Sequence, residues 1–312
     1  MTELNYVYGI EQFGDVDQIV ARQIVEKALE EQGVRIEVLA SSVNPIDIKT
    51  RKGLGFVAAQ KPVNDFMGLG YDVYGRIKAL GSQVKNFAVG QYVIGMVGFA
   101  HHPGCYAKQV DAHVSEIIPL AQKENSAIAG LCLSGLTAYQ ALQCVPVSLD
   151  IPIYINAPTG GVGHLAVQLA KLEGRKVIAL SSRPNHELLA KLDVEVMDYD
   201  SFFDTPRTGQ LLDLVGGDRT IELLDNLTAG SEVVTVPTIS KEQVCEHAKR
   251  KQINAQGMVV EANCDDLNKL YRAVRSGKLT VHMDKQFVLP EVADAHRYME
   301  KGEHSGKVII LA

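Results

Sequence analysis

In the stretch IPIYINAPTGGVGHLAVQLAK, from Ile151 to Lys171, a short apolar run is followed by three glycines within four residues and then by an amphipathic segment. IPIYINA reads as a buried strand, and Leu165, Leu169 and Leu172 fall on one face of the helix that follows. A strand that turns through glycines into a helix brings unpaired amides and the positive helix end to one point. The missing Cβ atoms let a diphosphate approach the backbone there. The loop supplies Ala157, Thr159, Gly160, Gly161, Val162 and Gly163 for this purpose. Ala157 stands at the first position of the usual G-x-G-x-x-G, so the pattern here is A-x-x-G-x-x-G. The alternative is a tight strand-to-helix turn that binds nothing.

The same alternation continues downstream. Strands KVIAL, VEVMDY, LLDLVGG and SEVVTVP are interleaved with the helical segments NHELLAKL and RTIELLDNL, which calls for a doubly wound parallel sheet. Before it, from Asn5 to about Leu120, short β-branched runs such as VRIEVLASSV and QYVIGMVGF are separated by glycine-rich turns. After it come the helix DDLNKLYRAVRSG, the strand-like TVHMDKQFVL, the helix EVADAHRYMEKG and a last strand KVIILA. The expected class is α/β, with 1–121 a β-rich domain, 122–263 an inserted nucleotide-binding domain and 264–312 a return to the first.

The end of the second strand of the α/β part separates the two pyridine dinucleotides. Enzymes using NAD place an Asp or Glu there for the ribose hydroxyls. KVIAL ends instead in Ser181-Ser182-Arg183, with no carboxylate to repel a 2′-phosphate and with two hydroxyls and a guanidinium to bind one. NADPH is therefore expected. The bland alternative leaves Arg183, beside Pro184, as a solvated loop residue.

Composition narrows the function classes. The 31 basic and 37 acidic residues give a net charge of −6, which offers no general attraction for nucleic acid or anionic lipid. No apolar run approaches membrane-spanning length, the first residues lack an apolar signal core, and five scattered cysteines never form C-x-x-C. The expectation is a cytoplasmic protein acting on small molecules, without nucleic-acid or membrane partners. A local basic patch in KEQVCEHAKRK reads as an exposed helix face. Cys132 and Ser134 have no base partner in sequence and read as packing residues.

Taken in order, VNPIDIKTRKG from Val43, GYDVYGRIKALGSQVKNFAVGQYVIG from Gly70, GCYAKQV from Gly104, SGLTAYQAL from Ser134, APTGGVG from Ala157, LVGG from Leu214 and the terminal SGKVIIL cover nearly the whole chain. Together they resemble the medium-chain dehydrogenase/reductase superfamily, in its zinc-independent quinone oxidoreductase-like branch. The resemblance implies a GroES-like β-rich catalytic domain built from both chain ends and an inserted Rossmann domain. It also implies a nicotinamide in the cleft between the two and, often, a homodimer. It places Asn44 and Asp47 along the cleft and Thr137 near the nicotinamide and its phosphates. Ser181, Ser182, Arg183 and Tyr199 fall around the 2′-phosphate. Several relatives carry a tyrosine where this chain has Lys49, so any substrate contact made by that tyrosine is changed. Asp198 and Asp200 would crowd a phosphate if both pointed inward.

Zinc-using relatives have a cysteine in the first motif and Gly-His-Glu in the second, where this chain reads VNPID and Gly70-Tyr71-Asp72. No zinc is expected, and the pair His101-His102 reads as a solvated loop. Without a metal to polarise a simple carbonyl, hydride transfer favours quinones and α,β-unsaturated carbonyl compounds, which spread the incoming charge. Asn44 is a candidate donor to the developing oxyanion or, equally, a bond holding the Asn-Pro turn. Lys49 is either an oxyanion stabiliser or a solvent-facing lysine. Asp47 orients its neighbours rather than acting as an acid. Three other readings stay open: an enal or enone (2-alkenal) reductase, an NADPH-binding sensor or structural protein without turnover, and, weakened by the missing ligands, a zinc alcohol dehydrogenase.

Overall fold

The computed structural model describes residues 5–61, 65–182 and 187–312. Along the chain run β1 (Asn5–Ile10), β2 (Ile19–Ile24), β3 (Gly33–Val43), α1 (Pro45–Arg51), α2 (Gly55–Ala58), β4 (Met67–Gly68), β5 (Asp72–Leu80), β6 (Tyr92–Met96), β7 (Gln109–His113) and β8 (Ile117–Pro119). A helical stretch then begins with α3 (Cys132–Gln143). The alternating part comprises β9 (Ile153–Asn156), α4 (Gly163–Leu172), β10 (Val177–Leu180), α5 (Glu187–Leu192), β11 (Glu195–Met197), α6 (Tyr199–Phe203), β12 (Gln210–Asp213), α7 (Gly217–Asn226), β13 (Glu232–Thr235), α8 (Lys241–Arg250) and β14 (Asn254–Gly257). The tail carries α9 (Cys264–Arg275), β15 (Met283–Val288), α10 (Val292–Glu300) and β16 (Lys307–Leu311).

The contacts divide into two compact units. The first is Met1–Leu136 with Glu261–Arg272 and Val281–Ala312, and the second is Thr137–Val260 with Ala273–Thr280. In the first, β15, β16, β3, β5, β6 and β8 pair in that order, β7 pairs β3, and β2, β1 and β4 form a smaller sheet. β3 begins with alternating burial, Val34, Ile36 and Val38 facing in, and is buried on both faces from Ala40 to Val43. There β16 joins it antiparallel, Val308 opposite Val43, so the last strand of the chain completes a sheet begun by the third. Apolar residues from both chain ends share one core, Ile10, Val43 and Leu69 packing with Val292, Val308 and Ile310. Sequence texture changes near residue 121, but the unit boundary falls at 136. The turn Ser126–Leu131, capped by the Asn125 side chain on the Ala127 amide at 3.0 Å, packs on β3, β5 and β16.

In the second unit the parallel strands lie in the order β11-β10-β9-β12-β13-β14. β9, β10 and β12 are buried along their whole length, which is why they read as short apolar runs rather than alternating ones. Tyr154, Ile178, Leu180 and Leu211 meet Phe202, Leu223 and Val244 from α6, α7 and α8. Each fully buried side chain of this kind contributes about 2 kcal/mol. Two elements here, α6 and β14, are too short and polar to stand out as sequence patterns. In the first unit, α1 and α2 likewise interrupt a region that reads as strands and turns.

A single cation ties the rear of the second unit together. Arg175, 5% exposed, donates to the Leu142, Val145 and Pro146 carbonyls, to Gln210 Oε1 and to Glu173 Oε2, at 2.6–3.3 Å. It satisfies a carbonyl at the end of α3 that the helix cannot bond itself. Arg175→Met keeps the apolar stem and orphans these acceptors, so it is expected to cost about 3 kcal/mol. Urea unfolding with an unchanged midpoint would refute this.

Candidate active site

The loop after β9 folds as its glycines allow. Ala157 takes φ +47°, the left-handed region where the usual motif has glycine, and the Gly160 amide bonds back to the Ala157 carbonyl at 3.0 Å. The His164 amide reaches the Gly160 carbonyl at 3.1 Å. The amides of Gly161, Val162 and Gly163, at the start of α4, have no partner among the described residues. Gly161 and Val162 are half-exposed, so these donors are free to receive an anion. Gly163 is needed for packing, because a Cβ there would lie 2.1 Å from the Ala157 carbonyl oxygen.

Register sets this loop beside the other candidates. Leu180 pairs with Asn156 and with Met197, so Ala157, Ser181 and Tyr199 follow the carboxyl ends of three adjacent strands. Ser181 is buried and Ser182 exposed, while Arg183 lies outside the described residues. Thr137 is buried in α3, and Thr159 is half-buried in the loop. Tyr199 is half-buried, its phenol bonded to the Ala157 backbone and to Arg219, and the guanidinium of Arg219 stacks 3.8 Å from its ring centroid. The two acids flanking Tyr199 do not crowd this place. Asp198 caps its own helix on the Ser201 amide at 2.7 Å, and Asp200 is exposed.

Two further residues organise this edge without having been singled out in sequence. Arg219 is one. Asp213, fully buried at the end of β12, is the other: it accepts from Asn156 Nδ2, the Val215 and Gly216 amides, Thr220 Oγ1 and Thr235 Oγ1, at 2.7–3.0 Å. The chain leaves β9 on one side for β10 and returns on the other as β12, the switch point at which open α/β sheets bind ligands.

In the first unit, polar side chains form one buried cluster. Lys307 Nζ donates to Asn44 Oδ1 (2.6 Å), Ser134 Oγ (2.9 Å) and the Val43 carbonyl (3.2 Å), and lies 3.9 Å from Asp72 Oδ2. Burial pulls this ammonium below the ordinary lysine range, against the pull of Asp72 and Asp47. Asn44 Nδ2 donates to Asp72 Oδ2 (2.8 Å) and the Ser42 carbonyl (3.3 Å), and Ser42 Oγ donates to Asp72. Both N–H groups of the Asn44 amide are thus committed inside the unit, an arrangement suited to holding the start of α1. Donation to a substrate oxygen would need one of those bonds to break.

Asp47, also fully buried, accepts from the Asn44 amide (2.8 Å), Tyr106 Oη (3.0 Å) and the Gly70 amide (3.1 Å). Burial raises its pKa to about 7, with Asp72 adding to the rise and the three donors opposing it. Lys49 is half-buried with no partner among the described residues, and burial lowers its pKa.

Two family models match the chain. Residues 30–148 match the model for the alcohol dehydrogenase GroES-like domain, and residues 195–310 match a model described as zinc-binding dehydrogenase. The solved quinone oxidoreductase of Coxiella burnetii superposes with a TM-score of 0.93 at 36% identity, covering 99% of this chain and 100% of that one. An Arabidopsis thaliana NADPH-dependent alkenal/one oxidoreductase, described as chloroplastic, is 30% identical over 96% of this chain and 77% of its own length. A 2-methylene-furan-3-one reductase of Solanum lycopersicum is 29% identical over 96% and 76%. The chain belongs to the medium-chain dehydrogenase/reductase superfamily, in its quinone oxidoreductase-like branch. Its first unit is the GroES-like domain and its second the Rossmann-like one.

Zinc, which one of the matched models carries in its name, does not fit the residues at the superfamily's ligand positions. The first motif, VNPID, carries no cysteine, Tyr71 stands where the second motif has histidine, and the Lys307 ammonium 2.6 Å from Asn44 would repel a dication. Among the described residues no three His, Cys, Asp or Glu side chains gather to hold a metal. His101 and His102 are exposed, with His101 Nδ1 3.1 Å from Gln60 Oε1.

Two measurements check this geometry. Gly163→Ala is expected to cost about 2 kcal/mol through its collision with the loop, whereas Ala157→Gly, at a left-handed position, leaves stability unchanged or raises it; the reverse order by urea unfolding would disprove the loop. For Asp47 the folded pKa lies above the unfolded one. Its contribution is therefore complete below about pH 4 and is lost as pH rises through about 7. Relative to Asp47→Asn, the wild type should lose up to about 1.4 kcal/mol of stability per pH unit across that window. Parallel pH profiles for the two proteins would contradict it.

Proposed function

We propose that the protein is an NADPH-dependent reductase that passes a hydride to a quinone or another conjugated carbonyl compound without zinc. The observation that carries this reading is the anion site at the carboxyl edge of the parallel sheet. The free amides of Gly161, Val162 and Gly163 suit the diphosphate. Ser181, Ser182, Tyr199 and the stacked Arg219 suit the 2′-phosphate, with no carboxylate ending β10. When bound, NADPH supplies the hydride. The chain's own part is to hold the coenzyme, exclude water and steady the charge that collects on the acceptor's oxygen. Lys49, half-buried and with no partner among the described residues, is suited to that last task, while Asp47, saturated by three donors, orients Asn44, Gly70 and Tyr106.

Enals and enones stand beside quinones as acceptors, since the Arabidopsis relative is named for alkenals and alkenones and the Coxiella structure for quinones. A homodimer and a reducing, cytoplasmic setting complete the proposal. The setting is supported by five cysteines that are all free thiols.

NADPH oxidation measured against quinones, enals, enones and simple aldehydes, with NADH run in parallel, tests the reading. Turnover is expected with the conjugated acceptors and preference for NADPH by kcat/KM. Binding of NADPH without turnover on any acceptor would favour a sensor. Arg219→Ala is expected to raise KM for NADPH about tenfold while leaving that for NADH within about twofold; an equal effect on both would remove Arg219 from coenzyme discrimination.

A further inference from the structure

An open cavity of about 360 Å³ lies wholly within the first unit, where β1 and β2 meet the ends of β15 and β16. Tyr6 and Tyr8 from β1, Ala21 from β2, Lys108, Leu289 and Leu311 border it. None of them belongs to the coenzyme or acceptor positions described above. Alternation along β1 puts Tyr6 and Tyr8 on one face, and the antiparallel register sets Ala21 opposite Tyr8. Beside them Leu311 pairs with Val288, and Leu289, 5% exposed, joins the core on which Tyr8 also packs. Hydrogen bonds hold this frame without help from any contents. The Tyr8 amide donates to the Tyr106 carbonyl at 2.8 Å, the Val38 amide to the Lys108 carbonyl at 2.9 Å, and the Asn5 side chain brackets the Gln109 backbone at 2.9 and 3.1 Å. A ligand entering a frame already in place pays little to order it.

The lining is largely apolar, and three of its side chains have more to offer than apolar contact. Lys108 is exposed and is the one charged side chain among the lining residues, and its ammonium has no ion pair or hydrogen bond among the described residues. Tyr6 and Tyr8 have neither a bonded hydroxyl nor a stacked ring among them. Glu291, the acid next in sequence to the lining segment, accepts from the Val288 amide at 3.1 Å. A flat ring finds offset or edge contacts on the tyrosines, and an anionic group finds a charge-assisted hydrogen bond from Lys108. The volume lies at the small end of the range for ligand sites, which fits one or two fused rings and excludes a dinucleotide.

We propose that this cavity is a second ligand site, separate from that of the coenzyme, and that it takes a small aromatic carboxylate. The ring lies against Tyr6, Tyr8 and Leu289, and the acid group is held by Lys108. The site binds and performs no chemistry, so it stands whether or not the protein is a reductase.

Calorimetry on the full chain with 2-naphthoate tests this, with 2-naphthalenemethanol as the neutral analogue and 2-naphthylmethylammonium as the cationic one. The naphthoate is expected to bind with a Kd on the order of 0.1 mM, about tenfold more tightly than the ammonium. Lys108→Gln, at an exposed position, should weaken the naphthoate about tenfold and leave the alcohol within about twofold. Ala21→Trp, on an exposed strand position, fills the cavity and should abolish binding of both at an unchanged Tm. Saturating NADPH should leave the naphthoate affinity within about twofold of its value without coenzyme. No binding by the wild type, tighter binding of the ammonium, equal naphthoate affinity in Lys108→Gln, or displacement by NADPH each overturns the proposal. Naphthoate binding that survives in a folded Ala21→Trp does so too, and should that variant not fold, Lys108→Gln decides alone.

Discussion

The ammonium of Lys307, buried in the first unit, holds the arrangement on which the rest of that unit depends. An uncompensated charge there would cost several kcal/mol. Lys307 is compensated by Asn44, Ser134 and the Val43 carbonyl and by Asp72 at 3.9 Å. Those partners lie on β3, β5, α3 and the entry to α1, so the last strand of the chain is locked to elements formed far earlier. From Asn44 the order passes to Asp47, which receives the first amide of the α1 cap, and then to Gly70 and Tyr106. Tyr71 follows Gly70 directly, and its ring packs edge-on against Phe99.

The second unit uses the same physics with the opposite sign. Asp213 is a buried carboxylate surrounded by donors from β9, β13, α7 and the LVGG loop, fixing the sheet edge from below. At the same edge, the loop at Gly160–Gly163 spends one amide on closing its own turn and leaves three without a partner among the described residues. Full satisfaction beneath and deliberate deficiency at the rim are what separate a binding edge from an ordinary turn.

Much of the architecture was legible in the chain itself. Short apolar runs spaced by helices specify a parallel sheet, and glycines after a buried strand specify a loop into which backbone donors open, because these are local consequences of backbone geometry. Short, polar elements such as α6 and β14 gave no such signal, and neither did α1, which a proline and a side-chain cap create without an apolar stripe. Within the site, the residues after β9 and β10 were legible from the glycine pattern and the missing carboxylate, and Tyr199 after β11 from the family resemblance; strand order then brings the three places together. Arg219 was missed, since its stacking on Tyr199 joins two helices with no shared motif. The commitment of Asn44 to Lys307, 263 residues away, was equally invisible.

The sequence by itself determined the class of fold, the place of the nucleotide loop and the absence of a carboxylate after the second parallel strand. Each of these is written in neighbouring residues and their conformational limits. Tertiary structure decided which polar groups are already paired: that Asn44 is occupied, that burial raises the pKa of Asp47 to about 7, and that Lys49 has no partner among the described residues. Pairing of this kind depends on distances between distant segments and on exclusion of water, and neither quantity exists until the chain has closed on itself.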